Sequence, residues 1–244
     1  GNISAYQIYL KGREYYTQYD SSANQKAILE FKKALHMDPN FALAMTGLAD
    51  AFSQNAGRFN MDKKIWTDSS IYISSQALEI DSTLSEAYRS IGIAYYYRDD
   101  FKKSINFFNK ALEINPNNAQ AIGNLGSCLL VTGQLDEAIK YQKKSASLNP
   151  KSFIPYMLVG WNYRMLGDYK NAILWLEKSL SIMPYRDTYE HLAYIYIAMN
   201  EPLKAKGLIP LILSLSDNES EKYYETSGII SFFIRDYENA FKYL

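Results

Sequence analysis

An all-α solenoid of about seven helix-turn-helix units is the fold class this sequence predicts, on three observations. The phrases ALEINP, SASLNP and SLSIMP end at Pro116, Pro150 and Pro184, at intervals of 34 residues. Between them an apolar pattern recurs: Tyr88, Ile91, Gly92, Tyr95, then Ile122, Leu125, Gly126, Leu129, then Tyr156, Val159, Gly160, Tyr163. Its spacing of three, one and three marks one face of a helix. Twelve residues after each glycine stands a small residue, Ser104, Ala138 or Ala172, inside a second periodic run that the proline stops. A period of this length signals stacked units, none of which buries its apolar face alone.

The units fall at about residues 5–40, 41–83, 84–118, 119–152, 153–185, 186–219 and 220–244. The first ends with ALHMDP at Pro39, and its Gly12 and Ala27 are 15 apart, with TQYDSSANQ taking up the excess. The second ends with ALEIDS, its proline replaced by Ser82, and has Ala49 in the glycine position. It also carries nine extra residues in NAGRFNMDKKIWTD, which holds Arg58, Phe59 and Trp66. Lengthened helices with Trp66 packed between them are one reading of that insertion; a loop touching a partner is the other. The third, fourth and fifth units are regular. In the sixth, Ala193 and Ala205 keep the spacing of twelve, and KAKGLIPLILSL contains Gly207 and Pro210. A proline inside a helix lacks a backbone donor and crowds the preceding turn, so a kink or break is expected there. The seventh begins with Gly228 and Ala240 and stops at Leu244, so about fourteen helices are expected in a segment of something longer. Gly1 reads as a cloning remnant.

Composition bounds the function. The 244 residues are 48% hydrophobic, enough for a large core, and no Pro/Gly/Ser-rich linker divides them. Lys+Arg and Asp+Glu are both 26, so the basic excess that neutralises phosphates is missing and nucleic acid is not the expected ligand. No apolar run approaches the length of a membrane span, so no membrane insertion is expected. GNISAYQIYL lacks the basic and apolar regions of a signal peptide. The single Cys128 excludes an intramolecular disulfide framework, and a reducing, cytoplasmic location is expected.

No catalytic constellation is present. His36 and His191 are the two histidines, without metal-ligand spacing, and His36 suits the C-terminal end of a helix. Cys128 lies on a packing helix and reads as a small buried hydrophobe. Asp99, Asp100, Asp136 and Glu137 fall at turns or helix starts, where a carboxylate favours the helix dipole. Phosphate loops, nucleophile elbows and calcium loops are all missing. The expectation is a non-enzymatic chain with no catalytic residue, cofactor or metal.

The pattern resembles the tetratricopeptide repeat: bulky residue, Leu-Gly, Tyr, then Ala, Phe and Pro. The resemblance is close in three consecutive units and looser over nearly the whole chain. It implies a right-handed superhelix whose first helices line a concave, ligand-binding surface. Counted from the glycine as position eight, the inner positions are 2, 5, 6, 9, 12 and 13. Of the run Tyr95, Tyr96, Tyr97, the first then packs between helices and the other two face the groove. The groove residues so implied are Arg89, Tyr96, Tyr97, Asn124, Met157, Trp161, Arg164, His191 and Tyr194. Aromatic residues, Met and Arg are enriched at interfaces. A chaperone-tail carboxylate clamp is disfavoured, because Asn124 matches its middle position while Ile93, Ile154 and Leu158 replace the others.

The expected function is a scaffold that captures a protein, as a peptide or apolar helix. The stretch from AYQIYLKGREYY to DPNFALAMTGLADAF is also similar to repeat arrays fused to bacterial winged-helix regulators and nucleotide cyclases. That implies a second reading, a regulatory segment of a signalling protein. Self-association is a third.

Overall fold

The computed structural model describes residues 2–59 and 61–215, with Gly228, Ser231 and Phe232 beyond them. Among the described residues there are twelve helices and no strand. They belong to two compact units, residues 1–132 and 133–244. The seventh repeat expected from the sequence lies, apart from those isolated positions, outside the described residues.

The first unit holds α1 (Ile3–Tyr16), α2 (Ser21–Met37), α3 (Ala42–Gly57), α4 (Lys63–Ile80), α5 (Ser85–Tyr97), α6 (Phe101–Ile114) and α7 (Ala119–Val131). Consecutive helices pack as antiparallel neighbours, and the odd-numbered helices α1, α3, α5 and α7 also touch in succession. The second unit holds α8 (Leu135–Leu148), α9 (Phe153–Met165), α10 (Tyr169–Ile182), α11 (Arg186–Ala198) and α12 (Pro202–Ser214), with α9 against α11.

Local chemistry explains the helix boundaries. Asn2, Asp20, Asp62, Asp100, Asn118 and Asp168 accept first-turn backbone N–H groups, satisfying donors that a helix start leaves open. The carboxylates Asp100 and Asp168 thus serve as caps. Five turns that follow odd-numbered helices carry one residue each of positive φ: Tyr19 at 58°, Asp99 at 62°, Gly133 at 81°, Gly167 at 75° and Asn200 at 58°. Gly, Asn and Asp are the residues that enter this region at least cost.

Close packing explains the recurring glycine and the small residue twelve further on. A Cβ on Gly92 would lie 2.5 Å from the Phe108 ring of α6. Ser104 Oγ donates to the Gly92 carbonyl at 2.8 Å, tying α5 to α6. In the first unit Phe31, fully buried, fits between Gly12 of α1 and Gly47 of α3. It anchors a core with Ala27, Ile28, Leu48, Ala51 and Phe52, and Tyr9 and Trp66 pack against it. In the second unit Ala172, Leu176, Leu192 and Ile195 form the equivalent core. Each fully buried Leu, Ile or Phe contributes roughly 1.5–3 kcal/mol.

The irregular stretches are accommodated by helix length. Six residues of α2 precede Ala27, whereas three of α6 precede Ser104, so the first unit's excess is mostly one added helical turn. The insertion after Ala49 lengthens α3 and α4 to 16 and 18 residues. Trp66 stands 5.1 Å from Phe52, inside the pair. Of the kink or break expected at Pro210, the break does not occur, since α12 is continuous from Pro202 to Ser214. Pro210 and Lys206 both lie on its exposed side, so the missing backbone donor falls on the solvent face of the helix. No helix among the described residues is long and apolar enough to cross a membrane.

Candidate functional site

The nine candidate residues fall in both units. In the first, Tyr95, Tyr96 and Tyr97 end α5, and all three are half-buried. Tyr95 stacks on Phe107 of α6 at 5.5 Å, the packing role expected of it. Tyr96 meets Phe101 edge-on at 5.7 Å. Tyr97 lies over the end of α3, its ring filling the space a side chain on Gly57 would need. Burial is the main cause that raises both the Tyr96 and Tyr97 phenols above their ordinary value. Asn124, on α7, is half-buried.

Arg89 is not offered to a partner. It is 2% exposed and lies against Asp50, itself 1% exposed. Its Nη2 donates to Asp50 Oδ2 at 2.5 Å, and Ser90 Oγ donates to Oδ1 at 2.6 Å. Arg13 Nη1 approaches Oδ2 to 3.8 Å, so one carboxylate draws α1 and α5 to α3. Burial opposes the Arg89 charge, and Asp50 together with Tyr16 and Glu86 outweighs it, leaving the guanidinium above its ordinary pKa. The expectation of a partner-orienting Arg89 is corrected by this: its facing helix already supplies an anion. Asp50 is the residue that sequence reading missed. The available signal was a lone acid in the apolar run ALAMTGLADAF, one place after Ala49.

The second unit brings four candidates together. Trp161 of α9 stacks on His191 of α11, with ring centres 5.2 Å apart and an interplanar angle of 27°. One turn on, the Arg164 guanidinium lies 5.7 Å from the centre of the Tyr194 ring. All four are half-buried. Met157, by contrast, is 7% exposed and belongs to the core beneath them, so it is not presented to a ligand. Trp161 Nε1, Arg164 Nε and His191 Nδ1 are enclosed without a hydrogen-bond partner. Burial first, and then Arg164, push the His191 imidazole down to about 4, against the opposing pull of Asp187. The ring is therefore neutral at pH 7.

That depression sets a pH dependence. Between about pH 6.5 and 4 the unfolded chain takes up a proton that folded His191 refuses, so stability falls as pH falls through this window. The loss is up to about 3 kcal/mol at the low end. His191→Phe keeps a ring on Trp161 and removes the titration. Its denaturation midpoint is expected to decline less than the wild type's between pH 6.5 and 4. Parallel declines would show that His191 titrates normally in the folded state.

Cys128 is fully buried and lies 3.3 Å from Ser104 Oγ. Burial pushes its thiol up to about 11, the behaviour of a packing residue.

Comparison with known proteins follows the geometry. Family models of the tetratricopeptide repeat match residues 85–118, 107–140 and 155–185. No curated protein matches the chain. Among solved structures, the APC/C hetero-tetramer Cut9-Hcn1 is similar at a TM-score of 0.75 and 15% identity, over 93% of this chain and 45% of that one. A tetratricopeptide repeat protein from Parabacteroides merdae gives 0.61 and 18%, over 98% and 90%. YrrB, described as a TPR protein with an unusual peptide-binding site, gives 0.52 and 18%, over 84% and 97%. These likenesses concern the fold. The 34-residue period, the glycine-against-aromatic packing and these matches agree: the chain carries tetratricopeptide repeats.

Proposed function

We propose that this chain is a non-enzymatic scaffold that holds a peptide segment of a partner protein against its odd-numbered helices. The observation that supports it is the Trp161, Arg164, His191 and Tyr194 cluster, where two helices bring together half-buried rings and one guanidinium. Trp, Tyr and Arg are the residues most enriched among binding hot spots. In the first unit, taken by itself, Tyr96, Tyr97 and Asn124 are the proposed contact residues. YrrB lends the idea of a bound peptide by analogy of fold.

The test is to select peptides from a displayed random library on the wild-type protein. Selected peptides are then measured on Trp161→Ala and Tyr163→Ala. Trp161→Ala is expected to weaken binding by about 2 kcal/mol with little change in melting. Tyr163 packs on the second-unit core, and its hydroxyl accepts from Lys143 Nζ at 2.8 Å, so Tyr163→Ala should lower melting instead. If Trp161→Ala destabilises the fold as much and spares binding, the cluster is packing only. The second reading, a regulatory segment of a bacterial signalling protein, rests on the opening stretch from Ala5 to Phe52. A DNA-binding or cyclase domain beside it in the gene is what it requires.

A further inference from the structure

Four arginines among the described residues are matched with acids. Arg13 and Arg89 share Asp50, Arg98 pairs with Asp68, and Arg186 pairs with Asp187 and Glu190. Arg164 differs from these four. It is half-buried on α9, among the described residues no carboxylate lies within ion-pair distance, and its Nε is enclosed without a hydrogen-bond partner. Its surroundings are the rings of Tyr194 and Tyr169, with His191 close enough for the guanidinium to depress its imidazole. Burial is the largest cause lowering Arg164 itself below its ordinary value. A guanidinium whose Nε is enclosed without an acceptor or counter-charge carries a cost that a carboxylate relieves, through two parallel N–H···O bonds.

We propose that Arg164, flanked by Trp161, His191 and Tyr194, is the anchor for a carboxylate of the bound peptide. The proposal rests on the peptide-scaffold reading and adds the charge that the peptide must bring. One uncompensated positive charge fits one carboxylate. A phosphate, near two negative charges, would exceed it, and Asp187 beside His191 adds to the repulsion. The place is distinct from the chaperone-tail clamp, whose cations would stand at Ile154 and Leu158. The guanidinium makes the contact, and the stacked Trp161 and His191 rings report it. A carboxylate on Arg164 offsets that residue's share of the His191 depression, which comes second to burial, so the imidazole moves part of the way back up on binding.

The experiment has two arms on the full chain. In the first, N-acetylglycine, its amide and inorganic phosphate are titrated while the Trp161 indole N–H and His191 ring resonances are followed by NMR. Trp161→Phe identifies the indole signal. N-acetylglycine should shift both resonances and raise the His191 pKa, whereas its amide should do neither and phosphate should act more weakly. Arg164→Gln should abolish the response, and Arg164→Lys should restore part of it, with melting of both variants checked. In the second arm, the library-selected peptides are remade with Glu and Asp changed to Gln and Asn, or with an amidated C-terminus. One of the two changes should weaken binding about ten- to a hundredfold, which identifies the carboxylate as side-chain or terminal. Equal shifts from the amide, or a response unchanged in Arg164→Gln, overturn the anion site. Peptides that need Trp161 yet bind equally well when neutralised also overturn it while leaving the scaffold reading intact. A response to N-acetylglycine with no Trp161-dependent peptide keeps the anion site and sinks the scaffold reading instead.

Discussion

Asp50→Ala is expected to destabilise the first unit by about 3–5 kcal/mol, because it leaves a wholly buried guanidinium without its anion. Arg89 has no water to turn to at 2% exposure, and Arg13, 3.8 Å from the same carboxylate, adds a second positive charge. Asp50→Asn keeps an acceptor for Ser90 and Arg89 and should cost less than the alanine change. Replacing both partners with apolar groups, Asp50→Leu with Arg89→Met, should recover most of the loss, since neither charge then has to be desolvated. Denaturant unfolding of the four proteins checks this. An Asp50→Ala loss below about 1 kcal/mol would mean that water reaches Arg89. The pair would then be a surface bridge.

Phe31→Ala is expected to cost a similar amount, about 3–5 kcal/mol, by a different route. The ring is fully buried against Gly12 of α1 and Gly47 of α3. Neither glycine can extend to fill the space, so the cavity stays open rather than collapsing. Phe31→Leu, which keeps most of the volume, should lose much less. Unfolding followed at Trp66, which packs on the same core, is the suitable probe. A small loss for Phe31→Ala would require that α1 and α3 close together.

The repeats were legible because they are local. A helix face, a glycine at a close crossing and a proline after a helix are each visible within one 34-residue period. The Asp50–Arg89 pair was not, because it depends on which turn of α3 faces which turn of α5, 39 residues away. Position counting placed Arg89 on an inner wall without seeing that its neighbour supplied an acid. Met157 was misjudged similarly, since a flexible apolar side chain at an inner position can turn into the core. Trp161, Arg164, His191 and Tyr194 stand together because neighbouring units of standard length keep equivalent turns adjacent. Pro210 failed as a breaker because propensity was read without its surroundings. One lost donor on an exposed face is outweighed by burial of Ala205, Ile209 and Ile212 on the other side.

Gly12, Gly47 and Phe31 also constrain the paths by which this chain can diverge. A Cβ at either glycine would stand 2.6–2.7 Å from the phenylalanine ring. Alanine at position 12 or 47 is therefore harmful while Phe31 is present and harmless once it has shrunk. The order of substitution matters: the aromatic must become smaller before either glycine can become larger. A lineage that has taken the first step can fill the gap from either neighbouring helix. Homologues should accordingly show a small residue at position 31 wherever position 12 or 47 bears a side chain, with the three sites exchanging as a group.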